Sequence, residues 1–469
     1  MAVTVWTDRV HGRDQLCRAF RFAAVNGEEV MLAYLLELRE WWSHGVVYPF
    51  ALFMTLIWVL WVIKIALARR YKPWKRAYEA TTSVIIPVVD EPEDLFRDVL
   101  TRIIKQQPTE IIVVINGREN PMLEQICDDL GVWWCWTEVP GKRNALKVGL
   151  EASSGEIAVL VDSDTLWTQD TLSELIKPFR DAKVGGVTTR QRILEPGRSV
   201  LTRWADWLES VRCQYSMPAM SVLGTVGCLP GRTIAFRSSI LFDCMEAFLS
   251  EKFLGVFLEV SDDRTLTNYT LKYGYRTVYQ STSLVYTDAP LQLKKLVKQQ
   301  YRWARGSQYN TLRMMPWMLR RAKMLALFYF ADVAVPFVLL GTFASWITAA
   351  FHKTRPGLYS ELPLPASPVK SIAVIIGLAA LMSMFSIAIR FGRHFAYRPQ
   401  DMVFLPIFMI INTLLLLPIR LIGFFRCAHN ASWGTREDSF AGEKAHTPWV
   451  VVPYILGTLM LAGSVMMSV

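Results

Sequence analysis

The sequence predicts a cytosolic α/β domain with a doubly wound sheet, joined to an α-helical transmembrane region. Apolar residues make up 52% of the 469 residues, yet 20% of the residues are charged, and the mean hydropathy is +0.24. This mixture is typical of a soluble domain joined to membrane spans. Between residues 80 and 310, short apolar runs alternate with helical patterns, and longer apolar runs lie on both sides of that region.

The positive charge of the chain supports membrane association. The formal net charge is +10, and nucleic-acid binding would be one explanation for it. However, basic residues collect at the ends of apolar runs, where they mark cytosolic flanks under the positive-inside rule. These residues are Arg69, Arg70, Lys72, Lys75, Arg76, Arg320, Arg321, Lys323, Arg390, Arg393 and Arg398. The seven cysteines form no C-x-x-C pair, so a reduced cytosolic setting is expected and a disulfide framework is not.

Five regions follow from these patterns. They are an amphipathic interfacial segment (1–45), a transmembrane helix (46–68), a cytosolic α/β catalytic domain (69–310), an interfacial helix (311–323) and a C-terminal transmembrane region (324–469). The last region contains apolar runs at about 324–350, 372–389, 402–425 and 449–467. The expected location is the plasma membrane, with several crossings.

The third C-terminal run is predicted to be irregular. It contains Pro406, Pro418 and Arg420, which interrupt an ordinary lipid-facing helix. We therefore expect a broken or re-entrant segment that lines a protein cavity, which keeps the polar stretch 426–446 on the cytosolic side.

Three apolar runs predict the central strands of the sheet. Ser83–Pro87, Ile111–Ile115 and Ile157–Val161 are short and continuous, as buried parallel strands are. The segments between them carry apolar residues at helical spacing. In a sheet of this kind, ligands bind at the carboxyl ends of the strands.

Asp162 and Asp164 follow the third of these runs directly. Two carboxylates at a strand end, separated by one residue, can hold a divalent cation, Mg²⁺ or Mn²⁺. Such a cation would neutralise a diphosphate leaving group. Acidic residues that cap the following helix are the competing interpretation.

Two further motifs follow in the chain. The carboxylate of Asp263, in the pair Asp262–Asp263, can take a proton from an acceptor hydroxyl, although acidic residues at a helix N-terminus would look the same. In the segment Gln299–Trp303, Arg302 can bind phosphate oxygens and Trp303 can stack on a sugar ring. An amphipathic interfacial helix is the alternative for this segment.

In this order, and followed by membrane spans, these motifs resemble the processive family-2 glycosyltransferases, a group that includes cellulose, chitin and hyaluronan synthases. The hyaluronan synthase branch is the most similar. The resemblance covers nearly the whole chain and rests on Gly141-Lys142-Arg143, Asp162-Ser163-Asp164-Thr165, the stretch from Asp262 to Asn268, Thr287-Asp288-Ala289-Pro290, Gln299-x-x-Arg302-Trp303 and Trp433-Gly434-Thr435.

The resemblance implies a GT-A (Rossmann-like) fold and an inverting transfer from a UDP-sugar to a growing β-linked polysaccharide, which then crosses the membrane through the protein. It implies a catalytic base at Asp263 and a metal site at Asp162 and Asp164. The other substrate-binding residues that it implies are Asn116, Lys142, Gln299, Arg302, Trp303 and Trp433.

The chain departs from the family pattern at several places. Asn116-Gly117 stands where an aspartate and glycine are typical, Ser261 replaces a glycine, and Asp90-Glu91 replaces asparagine and glutamate. One N-terminal span is visible where that branch commonly has two. A chitin, cellulose or mixed capsular polysaccharide synthase, a non-processive lipid-linked sugar transferase, and a transporter or receptor remain as alternatives.

Overall fold

The computed structural model describes residues 49–351, 365, 367–429 and 447–466. The predicted amphipathic segment 1–45 and the stretch 430–446, which contains Trp433, lie outside the described residues. The first described helix, α1 (Pro49–Arg70), leads into the α/β region.

The strands form one large mixed sheet and one small hairpin. The strands are β1 (Thr82–Val88), β2 (Glu110–Asn116), β3 (Trp133–Thr137), β4 (Ile157–Val161), β5 (Thr165–Trp167), β6 (Val184–Ile193), β7 (Thr233–Arg237), β8 (Lys252–Phe253), β9 (Val256–Phe257) and β10 (Arg276–Thr287). The order in the large sheet is β3-β2-β1-β4-β7-β6-β10-β5, while β8 and β9 pair separately.

The predicted α/β class is confirmed, and the three predicted strand segments all lie within strands. β1 pairs in parallel with both β2 and β4, and β2 pairs in parallel with β3. The other half of the sheet is not purely parallel, because β7 runs antiparallel to both β4 and β6. The start of β7 therefore lies at the same edge as the carboxyl end of β4.

Helices follow most of these strands. They are α2 (Glu93–Ile104), α3 (Pro121–Leu130), α4 (Lys142–Glu151), α5 (Thr171–Ile176), α6 (Val200–Val211), α7 (Met217–Val222), α8 (Ser238–Leu249), α9 (Asp262–Lys272) and α10 (Leu293–Arg321). A π-helical segment, Arg212–Ser216, joins α6 to α7. Helix α2 shows why such segments are helical, because Phe96, Val99 and Ile103 recur on its buried face.

Both faces of the sheet are buried, and one of them shares a core with membrane-type helices. In β1, Ile85 belongs to one apolar cluster, while Val84 and Ile86 belong to another. This alternation follows from the two-residue period of a strand. The cluster around Ile85 also contains Leu60 of α1 and Phe328 of the helix that follows α10. The sheet and these helices therefore pack as one body.

The C-terminal helices are α11 (Lys323–Phe351), α12 (Pro368–Arg390), α13 (Gly392–Tyr397), α14 (Leu405–Ile410), α15 (Leu417–Phe425) and α16 (Val451–Met466). Within the described residues, five helical stretches are long and apolar enough to cross a membrane. These are Leu52–Arg70, Lys323–Ala344, Val369–Arg390, Leu405–Phe425 and Pro448–Val465.

Two details differ from simple spans. α10 continues without a break to Arg321, so the expected boundary at residue 310 lies inside one helix. The third C-terminal run is not one regular α-helix, because a π-helical segment, Ile411–Leu416, separates α14 from α15. Pro406 and Pro418 lie in the first turns of α14 and α15, where proline is tolerated.

The segment after α12 returns to the α/β domain. Arg398 Nη1 lies 2.8 Å from Asp206 Oδ2, and Arg203 Nη1 lies 3.1 Å from Asp401 Oδ1. Asp206 and Arg203 belong to α6 of the α/β domain. The end of α12 and the end of α1 therefore lie on the side of the membrane-type helices that faces this domain.

Candidate active site

The site lies at the edge of the sheet where β1, β2 and β4 end. Asp162 follows β4 directly, and its backbone N–H donates to the carbonyl of Arg232 at 3.0 Å. Arg232 directly precedes β7, so this bond ties the end of β4 to the start of the antiparallel strand. Asn116 is the last residue of β2. The topology thus brings together residues that are far apart in the chain.

Lys142 opens α4 and points at the first aspartate of the D-x-D motif. Its Nζ lies 2.5 Å from Asp162 Oδ1, and its side chain is largely buried. Burial alone would lower the pKa of Lys142, but the carboxylates of Asp162, Asp262 and Asp263 outweigh that effect and raise it. Lys142 is therefore a fixed positive charge at neutral pH.

Asp263 lies in the first turn of α9 and is held by backbone donors. Its Oδ2 accepts from the N–H of Gly231 at 3.1 Å, and its Oδ1 accepts from the N–H of Arg264 at 2.7 Å. Burial raises the pKa of Asp263, although the Arg264 N–H and the Lys142 ammonium oppose that shift. A carboxylate with a raised pKa is a stronger base than a solvated one.

Gly231 marks the point where these groups converge. A methyl carbon placed on Gly231 would lie 3.4 Å from Asp263 Cβ, 3.7 Å from Lys142 Nζ and 3.9 Å from Asp162 Oδ1. A cavity at this point is lined by Pro87, Lys142, Leu146, Leu160, Val161, Asp162, Gly231, Ile234, Asp262, Asp263 and Leu266. Three carboxylates and one ammonium therefore line one small space, together with apolar side chains.

Asp164 lies beside further carboxylates. Burial, followed by the charges of Asp162 and Glu91, raises the pKa of Asp164 to about 6. Ser163 between the two aspartates donates its hydroxyl to Glu91 Oε1 at 2.9 Å. No group of three or more metal-binding side chains occurs among the residues described. Asp162 and Asp164 offer carboxylate oxygens, which are the ligands that Mg²⁺ and Mn²⁺ prefer.

Asn116, which the resemblance implies to be a substrate-binding residue, forms hydrogen bonds within the protein itself. Its Nδ2 donates to the carbonyl of Gly141 at 2.6 Å, and its Oδ1 accepts from the Gly141 N–H at 3.1 Å. The side chain is buried. Gly141 has a φ of +116°, which a side chain would disfavour. Asn116 therefore fixes the turn that places Lys142.

A buried ion network supports the site, and the sequence interpretation assigned it no role. Arg143 Nε lies 3.1 Å from Asp262 Oδ1, and its Nη2 lies 3.0 Å from Glu251 Oε2. Its Nη1 donates to the carbonyl of Phe248 at 2.6 Å. Arg143 adjoins Lys142 and Asp262 adjoins Asp263, so this network couples the first turns of α4 and α9. The Gly141-Lys142-Arg143 motif was the available signal for it.

Helix α10 packs on the start of α9. A Cβ on Gly306 would lie 2.7 Å from Ser261 Cβ, so glycine is needed for this close approach. Arg264 reinforces the contact by donating to the carbonyl and the hydroxyl of Ser307 at 2.9 and 2.7 Å. Ser261 itself has a φ of +63°, a strained conformation for a residue other than glycine, and it directly precedes the Asp262–Asp263 pair.

Gln299, Arg302 and Trp303 lie on α10, before this contact. Trp303 precedes Gly306 by three residues, and such residues are neighbours on a helix surface. Its side chain is 40% exposed, so its ring is accessible. No described hydrogen bond or ion pair joins these three side chains to Asp162 or Asp263. The structure therefore brings together Lys142, Asp162 and Asp263 and places the other three on the adjacent helix.

Comparisons with known proteins agree with this architecture. Residues 80–306 match the family model described as glycosyltransferase like family 2. This part of the chain is a family 2 glycosyltransferase domain. A hyaluronan synthase from Streptococcus pyogenes is 26% identical over 390 residues, which cover 80% of this chain and 88% of that protein. The chain is thus hyaluronan synthase-like.

Two further relatives bear on the fold and the chemistry. An N-acetylglucosaminyltransferase from Rhizobium meliloti (strain 1021) is 33% identical over 176 residues, covering 38% of this chain and 41% of that protein. A mannosyltransferase from Pyrobaculum calidifontis, solved with GDP-mannose and Mn²⁺, has a TM-score of 0.50 at 20% identity. That match covers 78% of this chain and 98% of the mannosyltransferase. It shows that the α/β region has the GT-A fold.

Proposed function

We propose that this enzyme polymerises UDP-sugars into a β-linked, hyaluronan-like polysaccharide and moves the chain across the plasma membrane. The observation that carries the proposal is the convergence of Lys142, Asp162 and Asp263 around Gly231, beside the helix α10 that leads into α11. The hyaluronan synthase similarity over 80% of the chain supports the choice of product.

In this proposal, the donor diphosphate lies beside Lys142. The ammonium, held by Asp162, is already in place where the leaving group develops negative charge, so it needs no reorganisation during the reaction. Asp162 and Asp164 would hold Mg²⁺ or Mn²⁺, which would supply further positive charge to the diphosphate. Arg302 adds a guanidinium that can bind two phosphate oxygens at once.

Asp263 acts as the general base. It takes the proton of an acceptor hydroxyl while that oxygen bonds to the anomeric carbon and the bond from this carbon to the diphosphate breaks. UDP leaves with the bonding electron pair, and attack from the opposite face converts an α-linked donor to a β-linkage. The backbone N–H groups of Gly231 and Arg264 hold both carboxylate oxygens and so fix the direction of the base.

The acceptor lies along α10. Trp303 presents an accessible ring for stacking against the terminal sugar, and Gln299 lies one turn earlier on the same helix. Beyond the site, α10 also packs on α15. A Cβ on Gly423 would lie 2.8 Å from Ala304 Cβ, and Arg305 Nε donates to the carbonyl of Arg426 at 3.1 Å. The acceptor helix thus directly adjoins an apolar helix of the membrane region.

Transport within the protein follows from the polarity of the product. A polysaccharide that entered lipid would lose hydrogen bonds to water without replacement, at a cost of several kcal/mol per group, roughly 2–7. A path between the helices avoids this cost. We place the α/β domain in the cytosol, where nucleotide-sugars are made, and assign Trp433 to substrate binding.

Product analysis tests the function. Purified protein in detergent would receive UDP-GlcNAc, UDP-GlcA and UDP-Glc, singly and in pairs, with Mg²⁺ or Mn²⁺. We expect a long polymer only with UDP-GlcNAc and UDP-GlcA together. A polymer from UDP-GlcNAc alone would indicate a chitin-like product, which the N-acetylglucosaminyltransferase relatives make the leading second candidate. Transfer of a single sugar to a lipid would contradict processive synthesis.

A further inference from the structure

A second cavity lies apart from the proposed donor site and shares no lining residue with it. Its volume is about 140 Å³, roughly ten times the space that one water molecule requires. The lining residues are Arg190, Arg192, Ser210, Cys213, Gln214, Tyr279 and Ser281. The cavity therefore has room for a polar group much larger than water.

An irregularity in the sheet opens this cavity. In the pairing of β6 with β10, Gln280 lies opposite Thr189, while Leu284 lies opposite the next residue, Arg190. Residues 281–283 are thus extra, and Ser281 lines the cavity. Such bulges frequently redirect side chains next to functional sites.

The bulge is attached to the end of helix α1. The Tyr71 hydroxyl donates to the carbonyl of Tyr279 at 2.8 Å and accepts from the N–H of Ser281 at 3.0 Å. Tyr71 directly follows α1, one of the helices long and apolar enough to cross a membrane. The cavity therefore lies where that helix meets the α/β domain.

The wall of the cavity has an excess of positive charge. Arg190 and Arg192 alternate along β6, so their side chains leave the same face of the strand. Arg192 Nε and Arg398 Nη1 share one carboxylate, Asp206, at 3.0 and 2.8 Å. The Arg190 side chain has no ion pair or hydrogen bond in the described part of the chain. The guanidinium groups of Arg190 and Arg192 thus line the cavity, and no carboxylate belongs to its described lining, so an anionic ligand is favoured.

One residue of the cavity wall also has an acceptor atom that receives no hydrogen bond. Gln214 Nε2 donates to Ser210 Oγ at 2.8 Å, but Gln214 Oε1 is buried and has no partner among the described residues. A buried acceptor without a partner is energetically unfavourable. A ligand that carried both an anion and a donor would satisfy Arg190 and Gln214 together.

We propose that this cavity binds a phosphate ester whose carrier also has hydroxyl or ammonium donors. The phosphate would bind Arg190 and Arg192, and a donor group would bind Gln214 Oε1. The position at the end of α1 favours the headgroup of an anionic phospholipid as the source, because Trp61 within that helix contacts Tyr215, the neighbour of Gln214, with ring centroids 6.5 Å apart. Bound lipid would thus fasten the α/β domain to the membrane surface.

Binding measurements on the purified full-length protein test the proposal. Native mass spectrometry and thermal unfolding would be followed while phosphatidylglycerol, phosphatidylcholine or soluble glycerol 3-phosphate is added. We expect tight binding and an increased Tm with phosphatidylglycerol, and neither with phosphatidylcholine. Arg190→Gln removes the free guanidinium, and Gln214→Glu adds a negative charge with almost the same shape. Each should weaken binding by about tenfold or more.

Arg321→Gln is the matched control, because it removes an equally basic, exposed residue beside another membrane-type helix. It should change the affinity by less than about twofold, since a single exposed charge contributes little. Binding of glycerol 3-phosphate with the same dependence on Arg190 would show that the cavity binds a phosphate ester and that this ligand is soluble instead of a lipid. Unchanged affinity in Arg190→Gln and Gln214→Glu, or an equal loss in Arg321→Gln, would overturn the proposal. None of these readouts requires sugar transfer.

Discussion

Replacement of Gly231 by alanine tests whether the space between Lys142, Asp162 and Asp263 binds substrate or serves only the stability of the fold. The new methyl carbon would lie 3.4, 3.7 and 3.9 Å from Asp263 Cβ, Lys142 Nζ and Asp162 Oδ1, all ordinary contact distances. Gly231 is not among the glycines with a left-handed backbone. We therefore expect the free energy of unfolding to change by less than about 1 kcal/mol.

Activity should respond differently to the same methyl group. It would occupy the space that the three charged groups share, and an extra methyl in a filled site costs about 1–3 kcal/mol. If the donor diphosphate lies there, kcat/KM should fall by about 5- to 150-fold. Initial rates of UDP release would measure this change, and denaturant unfolding would measure stability.

Gly197→Ala is the control for this experiment. Gly197 lies away from the site, and a Cβ on it would meet only Arg203 Nη2, at 3.8 Å. This variant should retain both stability and kcat/KM. A folded Gly231→Ala enzyme with the kcat/KM of the unmodified protein would show that the donor does not bind between Lys142, Asp162 and Asp263.

Three further predictions concern the surrounding residues. Asn116→Asp should lower the free energy of unfolding at neutral pH by about 1–3 kcal/mol, because a carboxylate cannot donate a hydrogen bond to the Gly141 carbonyl. At acidic pH the protonated side chain can donate again, so part of the lost stability should return. Denaturant unfolding at two pH values would measure both effects. Asp263 must be ionised to act as a base, and burial raises its pKa, so kcat/KM should fall as the pH decreases, beginning above the ordinary range of an aspartate, in a pH–rate profile. Burial and neighbouring carboxylates raise the pKa of Asp164 to about 6, so the affinity for Mn²⁺, measured by calorimetry, should decrease below that pH because protons compete with the metal. Asp164→Asn should weaken Mn²⁺ binding and remove this pH dependence.

The first half of the sheet could be predicted because its strands are continuous apolar runs. Both faces are buried in the segments Ser83–Pro87, Ile111–Ile115 and Ile157–Val161. A continuous apolar run of this kind can be recognised in the sequence without knowing which strands pair with it. The positions of β6, β7 and β10 depend instead on long-range pairing. For example, β7 runs antiparallel between β4 and β6, and its short sequence does not encode that direction.

In the candidate site, too, some residues could be predicted from the sequence and others could not. Asp162 and Asp263 could be identified because carboxylates at strand and helix ends have a recognisable chemistry, and Lys142 because Gly141-Lys142-Arg143 resembles a family motif. Gly231 could not, because a Pro-Gly pair indicates only a turn, and its importance arises from the carboxylates and the ammonium that surround it. The pairing of Asn116 with Gly141 likewise depends on how the loop closes, which sequence spacing does not reveal.

The most direct test of the account is the Asp263→Asn enzyme. Purified unmodified and variant proteins would be compared for UDP-sugar affinity and for polymer formed from paired donors. If Asp263 is the general base, the variant should bind UDP-sugar with nearly unchanged affinity and form no polymer, because the amide cannot take the acceptor proton. Polymer made by the folded variant at the rate of the unmodified enzyme would contradict the account.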